Sequence, residues 1–378
     1  MKKIYIRVTA FALALCLLMP LSSCKRNDTA YITVGDSVIT EKMYTYWLSY
    51  YKTRYYLTFE EYGLVSEDEY TPEFWDSCIS GDVSVGQTTV DYVNSVVLEF
   101  AVCLHLFDEL ELEKLYSDKQ IQDSVDQFIT EDISAVGSRS ELNRQLGLIG
   151  VNISVLKEVY TAEAKCMLVE EYLFGEKGKH ALTDEYRESF YLENYNRVKH
   201  VLVDMQDKYL TDENGNLIMD TYTGYYKTEP LTEEEKAEKT ALARTLFNNA
   251  SAGADFEELI TKYGEDPGAL KYKDGYFLNP SSPYEKSFLD AALEMKVGEV
   301  RLVESSVGLH IIKKYPLEAG MWAKEENEDL FTDLDSLARE KIKADHFAPY
   351  KESAVLADIQ IGLKELPMLS RDFVTSGE

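Results

Sequence analysis

Val198-Lys199-His200-Val201-Leu202-Val203 is the stretch at which the chain changes character. Four of its six residues are apolar, three of them β-branched valines, and Lys199 to Val203 reads as a short strand. Downstream, helix and strand signals follow in quick succession. Asn214-Gly215, within Asp212 to Asp220, is a strong hairpin signal, because both residues tolerate the left-handed backbone of a tight turn. Thr232 and Glu235 have capping-box spacing and open a helix through Phe247. Phe256 to Tyr263 is a second short helix. Glu265 to Pro283, rich in Gly, Pro, Ser and Asp, is a loop with a strand near Tyr276-Phe277. Phe288 to Met295 is a third helix, and Val300 to Val303 and His310 to Lys314 are strands separated by Gly308. The order from Val198 to Tyr315 is β-α-α-(β)-α-β-β, a compact α+β unit with a small antiparallel sheet.

Upstream the pattern is helical apart from one strand. Tyr31 to Ile39 reads as strand with a turn at Gly35-Asp36, and Thr40 caps the helix that follows. Met43, Trp47, Tyr50, Tyr51 and Tyr55 recur at helical spacing and predict one aromatic face. Gln87 to Leu112 is a long apolar helix. Asp118 to Ile133 and Arg139 to Leu146 are two more, the second stopped by Gly147 and Gly150. Asn152 or Ser154 caps a helix to about Phe174 that carries Leu156, Tyr160, Ala164 and Met167 on one face, and Thr183 caps a last one ending near Asn194. After Pro316 the chain turns helical again. Leu330 to about Ala354 is a charged amphipathic helix with a candidate break near Pro349, and Val355 to Ile361 reads as a strand that must pack on the N-terminal helices.

The first residues point outside the cytoplasm. Lys2, Lys3 and Arg7 precede an apolar run from Val8 to Leu21, too short to span a bilayer, which needs about 20 apolar residues. Leu21-Ser22-Ser23-Cys24 then looks like a bacterial lipobox: an aliphatic residue, two small ones, and the cysteine that receives lipid. Residues 1–23 are expected to be removed and Cys24 to anchor the mature chain, with Lys25 to Thr29 as a short tether. Two or more buried acyl chains hold a protein stably where one is marginal.

The 378 residues are 45% hydrophobic, enough for more than one packed core. Loss of residues 1–23 removes three basic residues and no acids, leaving 36 basic against 67 acidic residues and a net charge of −31. That balance argues against nucleic acid and favours basic or unfolded partners. Cys78, Cys103 and Cys166 form no CxxC. Cys103 and Cys166 lie in apolar helical patterns and read as core thiols. The five histidines are too scattered for a local metal motif. Asp212, Asn214 and Asn216 begin like a calcium loop, but Leu217 stands where an EF-hand needs glycine. No metal and no cofactor is expected.

Several blocks resemble the parvulin-type peptidyl-prolyl isomerases. They are Val198 to Val203, Gly253-Ala254-Asp255-Phe256-Glu257-Glu258-Leu259, Tyr263-Gly264-Glu265-Asp266-Pro267-Gly268, Phe288 to Val300, and Val307-Gly308-Leu309-His310-Ile311-Ile312. They occur in the family's order over about 120 residues. The flanks more loosely resemble PrsA-type foldases and SurA-type chaperones, in which a parvulin domain is inserted in a helical chaperone domain built from both chain ends. The resemblance implies four parts: residues 1–23 as lipoprotein signal peptide, 24–194 as helical chaperone domain, 195–316 as parvulin domain, and 317–378 as a C-terminal helix and strand packing on the first domain.

Residue by residue, the resemblance implies a catalytic group of His200, Asp266 and His310, with Phe277, Tyr284 and Phe288 walling the proline ring. Two positions depart from the family. Its usual pocket methionine aligns with Tyr284, and its Gly-Asp-Leu-Gly turn appears as Tyr272-Lys273-Asp274-Gly275. From position alone the two histidines read equally as satisfied core groups. The expected function is a membrane-anchored, extracytoplasmic prolyl isomerase and folding factor on the outer face of the bacterial cytoplasmic membrane. Its partners would be unfolded or partly folded exported proteins with Xaa-Pro bonds. The alternative is a chaperone with an inactive parvulin fold, and a transport-linked binding lipoprotein is disfavoured by the lack of repeated βαβ patterning. A homodimer is left open. The 27 tyrosines, crowded at Tyr44, Tyr46, Tyr50, Tyr51, Tyr55 and Tyr56, suggest an aromatic surface for unfolded segments beside ordinary core packing.

Overall fold

The computed structural model describes residues 28–66, 70–78, 81–220, 222–223, 225–359 and 361–375. The expected signal peptide and Cys24 lie outside the described residues. In chain order the elements are β1 (Ala30–Val34), β2 (Ser37–Thr40), α1 (Glu41–Glu61), α2 (Val85–Glu109), α3 (Asp118–Ala135), α4 (Arg139–Leu148), α5 (Ile153–Phe174) and α6 (Asp184–Asn194). There follow β3 (Asn196–Asp204), β4 (Lys208–Tyr209), β5 (Thr228–Glu229), α7 (Glu233–Ser251), α8 (Phe256–Tyr263), α9 (Gly268–Lys271), β6 (Tyr276–Leu278), α10 (Lys286–Glu294), β7 (Val300–Glu304) and β8 (Gly308–Tyr315). The last are α11 (Leu334–Glu352), β9 (Val355–Leu356) and α12 (Arg371–Val374). The fold class is α+β, with helices at both ends of the chain and a small antiparallel sheet between them in sequence. Two compact units emerge, one of Met1–Ala181 with Ile342–Glu378, the other Leu182–Lys341.

In the first unit the β1–β2 hairpin turns at Gly35 and Asp36, with Gly35 at φ 55°. Thr40 Oγ1 accepts from Met43 N and starts α1. Met43 and Trp47 are buried, while Tyr50, Tyr51 and Tyr55 are half-buried, so the aromatic face of α1 is only partly core. Its buried partners include Val93, Val97 and Ala101 of α2 and Leu156 and Val159 of α5. Each such valine or leucine side chain contributes roughly 1.5–3 kcal/mol when fully buried. Cys103 and Cys166 are buried, as expected of core thiols, and their Sγ atoms lie 2.7 Å apart.

The end of the chain is bound to α1. The buried Lys52 ammonium donates to the carbonyls of Leu363 (2.6 Å), Lys364 (3.2 Å) and Leu366 (2.6 Å). Three carbonyl acceptors match its three protons, which offsets the cost of burying the charge. The expected strand from Val355 to Ile361 is shorter than its apolar composition suggested. Only Val355 and Leu356 pair, and their partner is β1 rather than a helix, because β1 has a free edge opposite β2. Pro349 does not break α11, which continues through it to Glu352. Gly147 lies inside α4, and the stop is Gly150, at φ 69°.

The second unit is built on a sheet of order β6-β3-β8-β7, antiparallel throughout. Strand alternation separates its two faces. Val198, Tyr276, Leu278 and Ile312 pack against Phe288, Leu289 and Ala292 of α10. Val201, Val203 and Ile311 pack against Ala243 and Leu246 of α7 and Phe256 and Leu259 of α8. A third cluster joins Phe190, Tyr191 and Tyr195 to Phe277, Phe331 and Leu334. Thus α6 and the segment after Pro316 pack in the same unit as the sheet, which extends it beyond 195–316 at both ends.

The connection from β3 to α7 is a long hairpin. Gly215 N bonds Asp212 O across its turn at φ 83°. Asp212 Oδ1 accepts the N–H groups of Asn214 and Asn216, so this carboxylate organises the turn itself.

Candidate active site

Three strands and two loops bring the polar groups together. His200 (β3) and His310 (β8) project on the α10 face, two residues out of register, and their Nδ1 atoms lie 2.9 Å apart. Glu265 N donates to Leu202 O and lays the loop after α8 along β3, which sets Asp266 beside His200. His200 Nε2 is 2.8 Å from Asp266 Oδ2. The same oxygen accepts from Tyr276 Oη at 2.5 Å, and Asp266 Oδ1 accepts from Gly268 N at 3.0 Å. At the far end Ser305 Oγ meets His310 Nε2 at 2.7 Å.

Burial acts to raise the Asp266 pKa, but the hydrogen bonds from His200, Tyr276 and Gly268 outweigh it and hold the carboxyl at about 2. Burial, then the adjacent His200, push His310 down to about 4, against the pull of Asp266 and Glu285. With Asp266 ionised, His200 Nε2–H donates to it, and the directions of the His200–His310 and Ser305–His310 bonds follow from the tautomers of the two rings. Gly268 belongs to this arrangement for steric reasons: a Cβ there would sit 2.1 Å from Tyr276 Oη and displace it.

Aromatic rings cover the polar chain. Phe288 lies with ring centroids 5.2 Å from His200 and 5.1 Å from His310. Tyr284 contacts Phe288 at 5.9 Å and Tyr276 at 5.8 Å, and Tyr272 contacts Tyr276 at 5.6 Å. Burial and the neighbouring Tyr272 and Asp266 raise the Tyr284 hydroxyl to about 12, so it remains a donor at neutral pH. A cleft of about 300 Å³ reaches His200, Tyr272 and Tyr276 from the α8 side; Tyr284 and Phe288 do not line it.

Of the six site residues read from sequence, five meet here: His200, Asp266, His310, Tyr284 and Phe288. Phe277 does not. It lies in the cluster of Tyr191 and Phe331, with centroids 6.1 and 4.9 Å away. Successive residues of β6 face opposite ways, so Tyr276 enters the site and Phe277 leaves it. Tyr276 and Ser305 are the residues sequence reasoning missed. Period-two alternation from Val198 and His200 across the sheet was the available signal for Tyr276. Asp274, which departs from the family turn, is held by Lys324 Nζ at 2.7 Å and Asn327 Nδ2 at 3.2 Å. Its carbonyl accepts from Arg197 Nε at 2.6 Å. The substituted turn is therefore tied down by ionic partners in place of apolar packing.

The chemistry on offer is narrow. At neutral pH Asp266 has no proton to give and His310 none to spare. What remains is a ring-walled surface beside a fixed negative charge, suited to a change in which no covalent bond is made or broken.

Residues 192–315 match the family model of the PPIC-type PPIase domain. A curated relative, foldase protein PrsA 4 of Bacillus cereus, is 34% identical over 136 residues, which is 35% of this chain and 46% of that protein. The match therefore spans about half the relative's length. Among solved structures, PrsA from Bacillus subtilis is 22% identical, covering 73% of this chain and 88% of that one at a TM-score of 0.23. A peptidylprolyl isomerase (PrsA) from Bacillus cereus is 21% identical, covering 79% and 95% at a TM-score of 0.25.

Proposed function

We propose that the chain, whose residues 192–315 match the family model of the PPIC-type PPIase domain, is an extracytoplasmic prolyl cis–trans isomerase and folding factor for exported proteins, anchored through Cys24. One observation carries the catalytic part: an ionised Asp266, held by three donors, at the edge of a ring cluster. Rotation about an Xaa-Pro bond has a barrier of about 18–20 kcal/mol because twisting abolishes amide resonance. The planar amide carries extra negative charge on its carbonyl oxygen, and the twisted form carries less. A carboxylate fixed near that oxygen raises the planar state relative to the twisted one, which lowers the barrier. Phe288 and Tyr284 would hold the proline ring and exclude water. His200 and His310 act by positioning Asp266 and not as bases.

Isomerase action is assigned to 195–316 and client binding to the unit built from both chain ends. The clients are unfolded or partly folded exported polypeptides. The lipobox-like Leu21-Ser22-Ser23-Cys24 supports the anchored location.

A second reading keeps the fold but not the turnover. Tyr276 Oη already occupies Asp266 Oδ2, and Tyr284 stands where the family usually has methionine, so the site would bind polypeptide without accelerating rotation. Exchange spectroscopy on Xaa-Pro tetrapeptides with the chain from Lys25 onward separates the two. Acceleration above the uncatalysed rate, which corresponds to tens to hundreds of seconds, supports the enzyme. A correctly folded chain that accelerates no tetrapeptide across a range of Xaa residues leaves the binding reading alone.

A further inference from the structure

The face of α5 carrying Tyr160, Ala164 and Met167 begins as core at Leu156 and ends open, with Met167 67% exposed. Three adjoining depressions of about 340, 290 and 250 Å³ share Met167 on their walls. The largest is lined by the rings of Tyr46, Tyr51, Phe128 and Tyr160, with the carboxylates of Asp132 and Glu163 among them. Tyr160 Oη donates to Asp132 Oδ2 at 2.7 Å, and Trp47 Nε1 donates to Glu163 Oε1 at 2.7 Å.

Two other acids of this groove already have cations. Glu99 pairs with Lys343 at 2.5 Å and Lys351 at 3.2 Å, and Glu170 pairs with Lys343 at 2.6 Å. Glu163 differs. Among the described residues no lysine or arginine pairs with it, and Trp47 is its one hydrogen-bond donor. A carboxylate in an aromatic recess with a single donor carries an uncompensated burial cost, which a cation entering the recess would remove. Rings around a carboxylate are also the arrangement that attracts cations by their π faces.

We propose that this groove binds non-native polypeptide by taking up an arginine or lysine side chain, with its charge between Glu163 and Asp132 and its methylenes against Tyr46, Tyr51 and Phe128. Met167 supplies an adaptable apolar rim for neighbouring residues. The acidity of the whole chain adds long-range attraction for such a ligand. The folding-factor reading supplies only the source of the ligand; the preference for a cation stands without it.

The test is calorimetric titration of the chain from Lys25 onward with two proline-free, unstructured peptides of leucine and serine. One carries a central arginine, and its twin carries glutamine there. The expected result is tighter binding of the arginine peptide by roughly tenfold or more, with the preference lost in Glu163→Gln and in Met167→Lys. Glu163→Gln keeps an acceptor for Trp47, and position 167 is exposed, so both variants fold. Asp266→Asn retains the preference, which separates this site from the isomerase site. Equal binding of the twins, binding of neither, or a preference that survives Glu163→Gln overturns the proposal.

Discussion

Each compact unit places a carboxylate among tyrosine rings, and the two carboxylates end at opposite extremes. Asp266 has His200, Tyr276 and Gly268 as donors and is held at about 2 despite its burial. Glu163 has Trp47 alone; burial, opposed by that bond and reinforced by Asp132, pushes it up to about 7. Burial opposes ionisation at both; three donors outweigh it at Asp266, while Glu163 has one donor and the like-charged Asp132 beside it. A carboxylate satisfied from within the chain is a finished electrostatic element. One left short of donors has capacity for a ligand, and its unit is less stable for it.

The two groups therefore bend stability against pH in opposite directions. The raised Glu163 pKa means that between its ordinary 4.5 and about 7 the folded unit binds more protons than the unfolded chain, so stability is lost as pH rises. Glu163→Gln removes that loss. It is expected to stabilise the protein by up to roughly 3 kcal/mol at pH 8 and by little at pH 5, read from denaturant unfolding at the two pH values. No gain at pH 8 would mean that Glu163 is compensated in the folded protein and would erase the contrast.

The next largest effect is on the other side. His310 is lowered from 6.5 to about 4, so its contribution is present above 6.5 and is lost as pH falls toward 4. Between pH 7 and pH 5 this amounts to about 2 kcal/mol. The stability slope over that interval is expected to flatten in His310→Gln, and an unchanged slope would show that the buried histidine pair already takes up a proton at neutral pH.

A smaller effect tests the placement of β6. Tyr276→Phe deletes one donor to Asp266, with an expected cost of roughly 1.5 kcal/mol and an upward shift of the Asp266 titration seen in carboxyl NMR. Phe277→Leu is expected to cost about 1 kcal/mol and to leave turnover of a tetrapeptide unchanged. Loss of turnover in Phe277→Leu with Tyr276→Phe silent would reverse the assignment of faces.

The fold was legible because its elements announce themselves locally. Thr40, Asn152, Thr183 and Thr232 cap the helices expected of them, and Asn214-Gly215 turns the hairpin. The polar core of the site was legible through the resemblance, since His200, Asp266 and His310 stand in recognisable blocks. What was not legible depends on which way side chains face over short spans. A three-residue strand gives too little alternation to tell Tyr276 from Phe277. Ser305 reaches His310 only because the turn before β8 folds back on it. The stripe ending in Met167 has the spacing of a core face, and only the packing of neighbouring helices leaves it open as a groove. Asp274 read as a defect because its partners, Lys324 and Asn327, lie some 50 residues on.

The most direct test of the account is the kcat/KM of Xaa-Pro exchange for the parent chain and for Asp266→Asn. Asparagine preserves shape and an acceptor for His200 while removing the fixed charge. The account predicts a fall of about 100-fold, in line with the loss of an electrostatic stabiliser, in a variant whose fold is intact by circular dichroism. Turnover equal to the parent's would contradict it, because the rate would then owe nothing to the carboxylate charge that the site is built to hold.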